Sequence, residues 1–213
     1  MDKIVFLGKN YAEHAAEMGE VQPEKPVIFI KPPSVLRVGH NDGENLELRI
    51  PKGRGAVHPE VELVLRLDRG GFNLDLKDAE KAIGSVSLGL DMTLRDEQKQ
   101  AKLKGHPWTT SKVFPDSAVV GPWVRVSEFP DYTEQNFTLA IDDEIRQESS
   151  GQKMLFTPAE CVAYVSQFFL LKVGDLIFTG TPAGVGPVVS GSRGVLSFGA
   201  IRYQVVWKED SQP

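Results

Sequence analysis

Cysteine is nearly missing from this sequence: Cys161 stands alone among 213 residues. That excludes an intramolecular disulfide and any multi-thiolate metal site, and because Cys161 falls in a run that reads as a buried helix it is expected to serve packing. No run of about 18 apolar residues occurs, so a membrane-spanning helix is not expected. Residues 1–7 are too short an apolar stretch for a signal sequence. The expected setting is therefore a reducing cytoplasm. Positive charge is also in deficit, with 24 Lys and Arg against 29 Asp and Glu, a net charge of -5. Such a field does not favour a polyanion, so no nucleic acid and no membrane is expected as partner, and a small molecule is left.

What the chain does have is a hydrophobic fraction of 41%, enough for one globular domain spanning 1–213. Its 20 glycines and 14 prolines fall between short apolar runs, the punctuation of a strand-rich domain with many turns. Strands are expected at 4–7, 27–30, 46–50, 57–67, 85–91, 120–126, 137–141, 144–147, 175–179, 194–198 and 203–207, with Asp142 and Asp143 forming a hairpin turn. Helices are expected at 10–19, 76–83, 93–104 and 157–171. The last is the best marked: Thr157, Pro158 and Glu160 stand at N-cap, N1 and N3 of a capping box, ahead of Val162, Val165, Phe168 and Phe169, a face that should pack on a sheet. The sum is a mostly β fold with a few short helices, a rolled or sandwiched sheet rather than a βαβ array.

The most informative segment runs from His58 to Leu65, where Glu60 and Glu62 alternate with Val61 and Leu63. Residues two apart in a strand share a face with Cα atoms roughly 6.5 Å apart. Two carboxylates so placed can stand in water, the ordinary case for such a pair. If their face is enclosed, they repel and lose hydration unless a cation holds them. Asp91 ends the apolar run 86–90 and supplies a third carboxylate. Three carboxylates and water make an oxygen shell suited to Mg²⁺, with Mn²⁺ or Ca²⁺ as substitutes, rather than to zinc. In the first helix His14 and Glu17 are three apart and share a face, an arrangement in which a carboxylate can orient an imidazole as a general base.

These segments together resemble the fumarylacetoacetate hydrolase family, in particular its small single-domain members active as acylpyruvases, oxaloacetate decarboxylases or oxaloacetate tautomerases. The resemblance follows the chain in order: Gly8-Lys9-Asn10-Tyr11 with His14 and Glu17; Phe29-Ile30-Lys31-Pro32; His58-Pro59-Glu60-Val61-Glu62-Leu63; Asp91 to Gln98; Lys112; and Gly174-Asp175 leading to Thr179-Gly180-Thr181-Pro182-Ala183-Gly184-Val185-Gly186. It implies that Glu60, Glu62 and Asp91 ligate one magnesium ion. It further implies that His14 and Glu17 form a catalytic dyad on a mobile lid helix over 10–19, with Lys112 also catalytic, and that Lys31, Arg95, Gln98 and Thr181 bind substrate. A homodimer is implied as well. Two stretches depart from the family pattern: Val113-Phe114-Pro115-Asp116 after Lys112, expected to shape the pocket differently, and Gly191-Ser192-Arg193-Gly194, expected to alter a turn.

The chemistry so implied is the stabilisation of an enolate made from a small 2-oxo acid, with the keto oxygen on the cation. Hydrolysis of the C–C bond of a short acylpyruvate is the first expectation. Oxaloacetate decarboxylation or keto–enol tautomerisation in the same site is the alternative, and an isomerase or decarboxylase step of aromatic catabolism a second one. A reading of another class is a non-catalytic, metal-stabilised binding protein, which would need the three carboxylates but not His14, Glu17 and Lys112.

Overall fold

Alternating β-branched, leucine and aromatic side chains commit the short apolar runs of the chain to strands, and a computed structural model describing residues 1–17, 19, 21–41 and 43–210 shows how they assemble. The chain begins with β1 (Ile4–Gly8), the short helix α1 (Ala12–Glu17), β2 (Val27–Lys31) and β3 (Leu36–Val38). It continues through β4 (Asn45–Ile50), β5 (Val57–His58), β6 (Val61–Leu67), α2 (Leu76–Ala82) and β7 (Ile83–Asp91). Next come β8 (Thr93–Leu94), α3 (Arg95–Leu103), α4 (Thr109–Lys112), β9 (Ala118–Val120) and β10 (Val124–Arg125). The remainder is β11 (Asn136–Ile141), β12 (Glu144–Ser150), α5 (Pro158–Ser166), β13 (Leu176–Phe178), β14 (Arg193–Phe198) and β15 (Ile201–Glu209).

The larger, curled sheet has the order β2-β1-β13-β6-β7-β9-β3, with β10 added to β7. It is mixed: β1 runs parallel to β13 and β3 to β9, while the other neighbours are antiparallel. A second sheet, β12-β11-β14-β15-β4, packs across it, and β5 pairs with β8 in a small ribbon. Leu63, Leu65, Leu88 and Leu90 of the larger sheet meet Leu48, Phe137, Leu196 and Trp207 of the second in the main core. Each such side chain taken fully out of water contributes about 1.5–3 kcal/mol before entropic costs. Tyr203 fastens the two layers, its hydroxyl donating to Leu88 O at 3.0 Å.

The opposite face of the larger sheet is also covered. Ile4, Phe6, Val64, Val120 and Phe178 form a separate buried cluster there. Side chains alternate along β6, so Glu62 shares that face with Val64, and the enclosure that makes its charge costly follows from the sheet being buried on both sides.

Several boundaries differ from the sequence expectation for identifiable reasons. The strand expected over 57–67 is broken into β5 and β6, because Pro59 has no amide to give a ladder. Glu60 therefore precedes β6 rather than lying in it. Gly121 and Pro122 likewise divide 120–126 into β9 and β10. Thr93 and Leu94 pair with His58 and Val57 before α3 begins at Arg95. The capping box of α5 is present in full, but the helix ends at Ser166. Val162 and Val165 enter the core, whereas Phe168 is 59% exposed, and α5 lies beside α2 rather than spreading its whole face on a sheet. Asp142 and Asp143 both take positive φ, 51° and 68°, as the expected tight hairpin requires. Of the helix expected over 10–19, residues 12–17 are helical and Met18 lies outside the described residues.

Candidate active site

Three carboxylates converge where β6 and β7 end beneath α3 and α4. Glu62 is in β6, Asp91 closes β7, and Glu60 is fixed beside it because its carbonyl accepts Asp91 N–H at 2.9 Å. One oxygen from each lies within 4.8 Å of the others. Glu60 is 5% exposed and Glu62 and Asp91 1% each, so the wet-face alternative for the glutamate pair does not hold.

Three cationic side chains approach from three elements. Lys112, at the end of α4, donates to Glu60 Oε2 at 2.8 Å, to Thr93 Oγ1 at 2.7 Å and to Asp91 Oδ2. Arg95, opening α3, donates to Glu60 Oε1 and, at 2.7 Å, to Gln98 Oε1. Lys31, at the end of β2, lies wholly buried with its ammonium 5.0 Å from the Phe6 ring centroid. It donates to Met92 O at 3.0 Å and Ser117 O at 2.6 Å. Its nitrogen is also 2.6 Å from Asp91 Oδ1, a buried ion pair.

The electrostatics divide unevenly. Burial would raise Glu60, but Lys112 and Arg95 hold it well below the usual carboxylate range. Burial lowers Lys31 to about 8 against the pull of Asp91. The Lys112 ammonium is kept charged, because Asp91 and Glu60 outweigh its desolvation. Two carboxylates go the other way: burial raises Asp91 against the pull of Lys112 and Lys31, and Glu62 has less to oppose it. Burial, then the neighbouring Asp91 and Glu60, push Glu62 well above the ordinary value, and among the described residues it has no cationic side chain in ion-pair contact and accepts Gly180 N–H at 2.7 Å.

These observations test whether a divalent cation fits. Three buried carboxylates bring one oxygen each within 4.8 Å of the others, among the described residues no cationic side chain is in ion-pair contact with Glu62, and the donor set is all oxygen. A hard cation such as Mg²⁺ or Mn²⁺ matches that set, and a thiophilic metal does not. Glu60, Glu62 and Asp91 are the residues able to hold it.

His14 and Glu17 meet as the helical spacing implies, with Nδ1 3.2 Å from Glu17 Oε2. Glu17 in turn accepts Gly184 N–H at 3.1 and 3.2 Å. His14, Arg95, Gln98, Lys112 and Thr181 line the narrow cavity above the three carboxylates. Lys31 and Glu17 do not reach it: Lys31 lies beneath Asp91, and Glu17 stands behind His14. The loop 113–116 is absent from the cavity wall as well. Asp116 turns away at φ 62° to bind Arg49 and Arg37, so the departure there serves the frame and not the pocket. An adjoining groove of about 370 Å³, apolar along Val27, Ile28, Phe29, Ile30 and Trp108, shares Phe29, Trp108 and Lys112 with the cavity.

Sequence reasoning missed Gln147, which is 1% exposed. Its carbonyl accepts Val61 N–H at 2.9 Å, and its amide nitrogen donates to Thr181 Oγ1 and Pro182 O, both at 2.8 Å. The available signal was the alternation in β12, which turns Gln147 and Ser149 inward where a packed strand would carry apolar residues.

Residues 3–206 match the domain family described as Fumarylacetoacetate (FAA) hydrolase C-terminal. The chain is 37% identical over 199 residues to oxaloacetate tautomerase YcgM of Escherichia coli strain K12, covering 93% of this chain and 89% of that one. It is 36% identical to the mitochondrial oxaloacetate decarboxylase of Dictyostelium discoideum, over 89% of this chain and 85% of the other. Among solved structures, a fumarylpyruvate hydrolase from Pseudomonas aeruginosa in complex with Mn²⁺ and pyruvate superposes with a TM-score of 0.93 at 36% identity, covering 99% of this chain and 91% of that one. Among the described residues no helix is long and apolar enough to cross a membrane.

Proposed function

Because the chain belongs to the fumarylacetoacetate hydrolase family, we propose that it is a Mg²⁺-dependent enzyme that forms or consumes the enolate of a small 2-oxo acid. The observation that carries this reading is the buried triad Glu60, Glu62 and Asp91, whose oxygens converge and in which, among the described residues, Glu62 has no ion-pair contact. Glu60, Glu62 and Asp91 would hold the cation, which would supply Lewis acidity to such an acid.

The protein's own groups supply the rest. With Nδ1 engaged by Glu17, His14 keeps Nε2 for the substrate and takes or returns the proton at the carbon next to the keto group. Arg95 and Thr181 bind the acid's carboxylate, with Gln98 holding the guanidinium in plane. Lys112 is a fixed positive charge beside the developing enolate oxygen, and Lys31 opposes the rise that burial imposes on Asp91. The cavity, about 30 Å³, admits an ion or a water but not a carboxylic acid. Residues 10–19 therefore act as the lid that opens for substrate.

Two outcomes of this chemistry have separate support. Oxaloacetate tautomerisation or decarboxylation is favoured by the names of the relatives. Hydrolysis of a short acylpyruvate, in which His14 activates water, is favoured by the apolar groove beside the cavity and by the fumarylpyruvate hydrolase likeness. A homodimer in the cytoplasm completes the reading; β2 is a sheet edge, with Ile30 53% exposed on it. The test is a set of three rates, each with Mg²⁺ and with chelator: pyruvate from acetylpyruvate, pyruvate from oxaloacetate, and decay of enol-oxaloacetate. The fastest ranks the outcomes, and rates indifferent to chelator would sink the metal-dependent mechanism.

A further inference from the structure

Gln147 has every polar proton and its carbonyl committed. Val61 N–H can only donate, so the atom facing it at 2.9 Å must be the amide oxygen. Pro182 O can only accept, so the atom facing it at 2.8 Å must be the amide nitrogen. These two backbone groups fix the orientation of the amide without reference to Thr181; a flipped amide would oppose donor to donor and acceptor to acceptor.

The consequence falls on Thr181. The second amide proton of Gln147 points at Thr181 Oγ1, 2.8 Å away, so that hydroxyl must accept there. Its own proton finds no acceptor among the described residues, and the side chain is on the cavity wall. Gln147 itself does not reach the cavity. It comes from the second sheet and ties together the peptide between Glu60 and Glu62 and the loop after β13.

We propose that Gln147 is a positioning residue that holds the Thr181 hydroxyl as an obligate donor into the cavity, so that the site selects a ligand with an acceptor oxygen there, an ionised carboxylate. The inference rests on the 2-oxo acid reading of the pocket, and it adds a polarity and a residue to it. Gln147→Glu reverses that polarity: a carboxyl oxygen next to Thr181 Oγ1 accepts the hydroxyl's hydrogen bond and leaves the cavity without a donor.

Two measurements test it, the first independent of any ligand. In the metal-free protein the two side-chain amide protons of Gln147, assigned by their loss in Gln147→Met, are expected to be strongly protected from solvent exchange. Thr181→Val should shift one of them and leave the other, held by Pro182, in place. Exchange as fast as that of an exposed glutamine would overturn the proposal. The second is the affinity for oxalate, a non-reacting pair of adjacent carboxylates, in saturating Mg²⁺. Gln147→Glu and Thr181→Val should each weaken it about tenfold, together no more than singly, while Thr181→Ser should bind like the parent. A folded Gln147→Glu protein with parental affinity, or losses that multiply, would overturn the proposal. Should the parent itself bind no oxalate, the 2-oxo acid reading fails, and the exchange measurement decides the role of Gln147 alone.

Discussion

Glu17 accepts the backbone N–H of Gly184 at 3.1 Å, which fastens the helix carrying His14 to the same loop whose Gly180 N–H reaches Glu62. The His14–Glu17 pair and the carboxylate cluster are thus placed by one short segment after β13. Its geometry depends on Gly184, which has φ 96° and lies where a Cβ would come within 2.0 Å of Arg146 O.

Gly184→Ala should therefore displace the loop. We expect a loss of about 1–3 kcal/mol in urea unfolding, and a fall in kcat/KM larger than that stability loss explains at a temperature where the variant is fully folded. An unchanged rate would show that the contact with Glu17 does not position His14.

Glu17→Gln keeps an oxygen for Gly184 N–H and removes the charge behind His14. Turnover should drop roughly 10²–10⁴-fold, with Mg²⁺ affinity by calorimetry within about twofold of the parent, since Glu17 is not among the three converging carboxylates. A binding protein without catalysis would have no turnover to lose.

Glu62→Gln separates the cost of the buried charge from its use. Without metal the variant should be at least as stable as the parent in thermal unfolding, because it removes a buried carboxylate with no cation against it. With Mg²⁺ at about a hundred times its dissociation constant the parent should gain about 2.7 kcal/mol, a rise of several degrees, and the variant little. A parent insensitive to Mg²⁺ would count against the cation site.

Asp116 offers a pH test away from the site. Burial opposes its charge, but the hydrogen bonds from Arg49, with Arg37 beside it, hold its carboxyl below the usual range. A carboxylate depressed in the folded state contributes stability above its unfolded value, near 3.8, and loses it as pH falls through the folded value. Asp116→Asn should cost about 1–3 kcal/mol at pH 7, and its gap to the parent should narrow below about pH 4. A gap independent of pH would mean the arginine pairs are not its origin.

Much of the site was legible because its residues sit at local spacings: Glu60 and Glu62 two apart, His14 and Glu17 three apart in a helix, Asp91 at the end of an apolar run. Most strands were legible from alternation, and α5 from Thr157, Pro158 and Glu160, whereas the three-residue β3 and the four-residue α4 carrying Lys112 are too short to show a period. Gln147 was not, because its partners Val61, Thr181 and Pro182 lie 86, 34 and 35 residues away, and no local pattern encodes contacts across two sheets. The break at Pro59 was visible in the sequence, but the alternation around it reads through the proline.

By itself the sequence determined which groups are present and their local order: three carboxylates, a histidine–glutamate pair and a lysine, set among short strands. Whether those carboxylates are charged burdens or solvated ornaments was decided only by the tertiary structure, because burying both faces of the larger sheet removes the water that would otherwise hold them. That same enclosure gives Lys112 and Arg95 to Glu60 and, among the described residues, brings no cationic side chain into contact with Glu62, an imbalance that no spacing along a chain expresses.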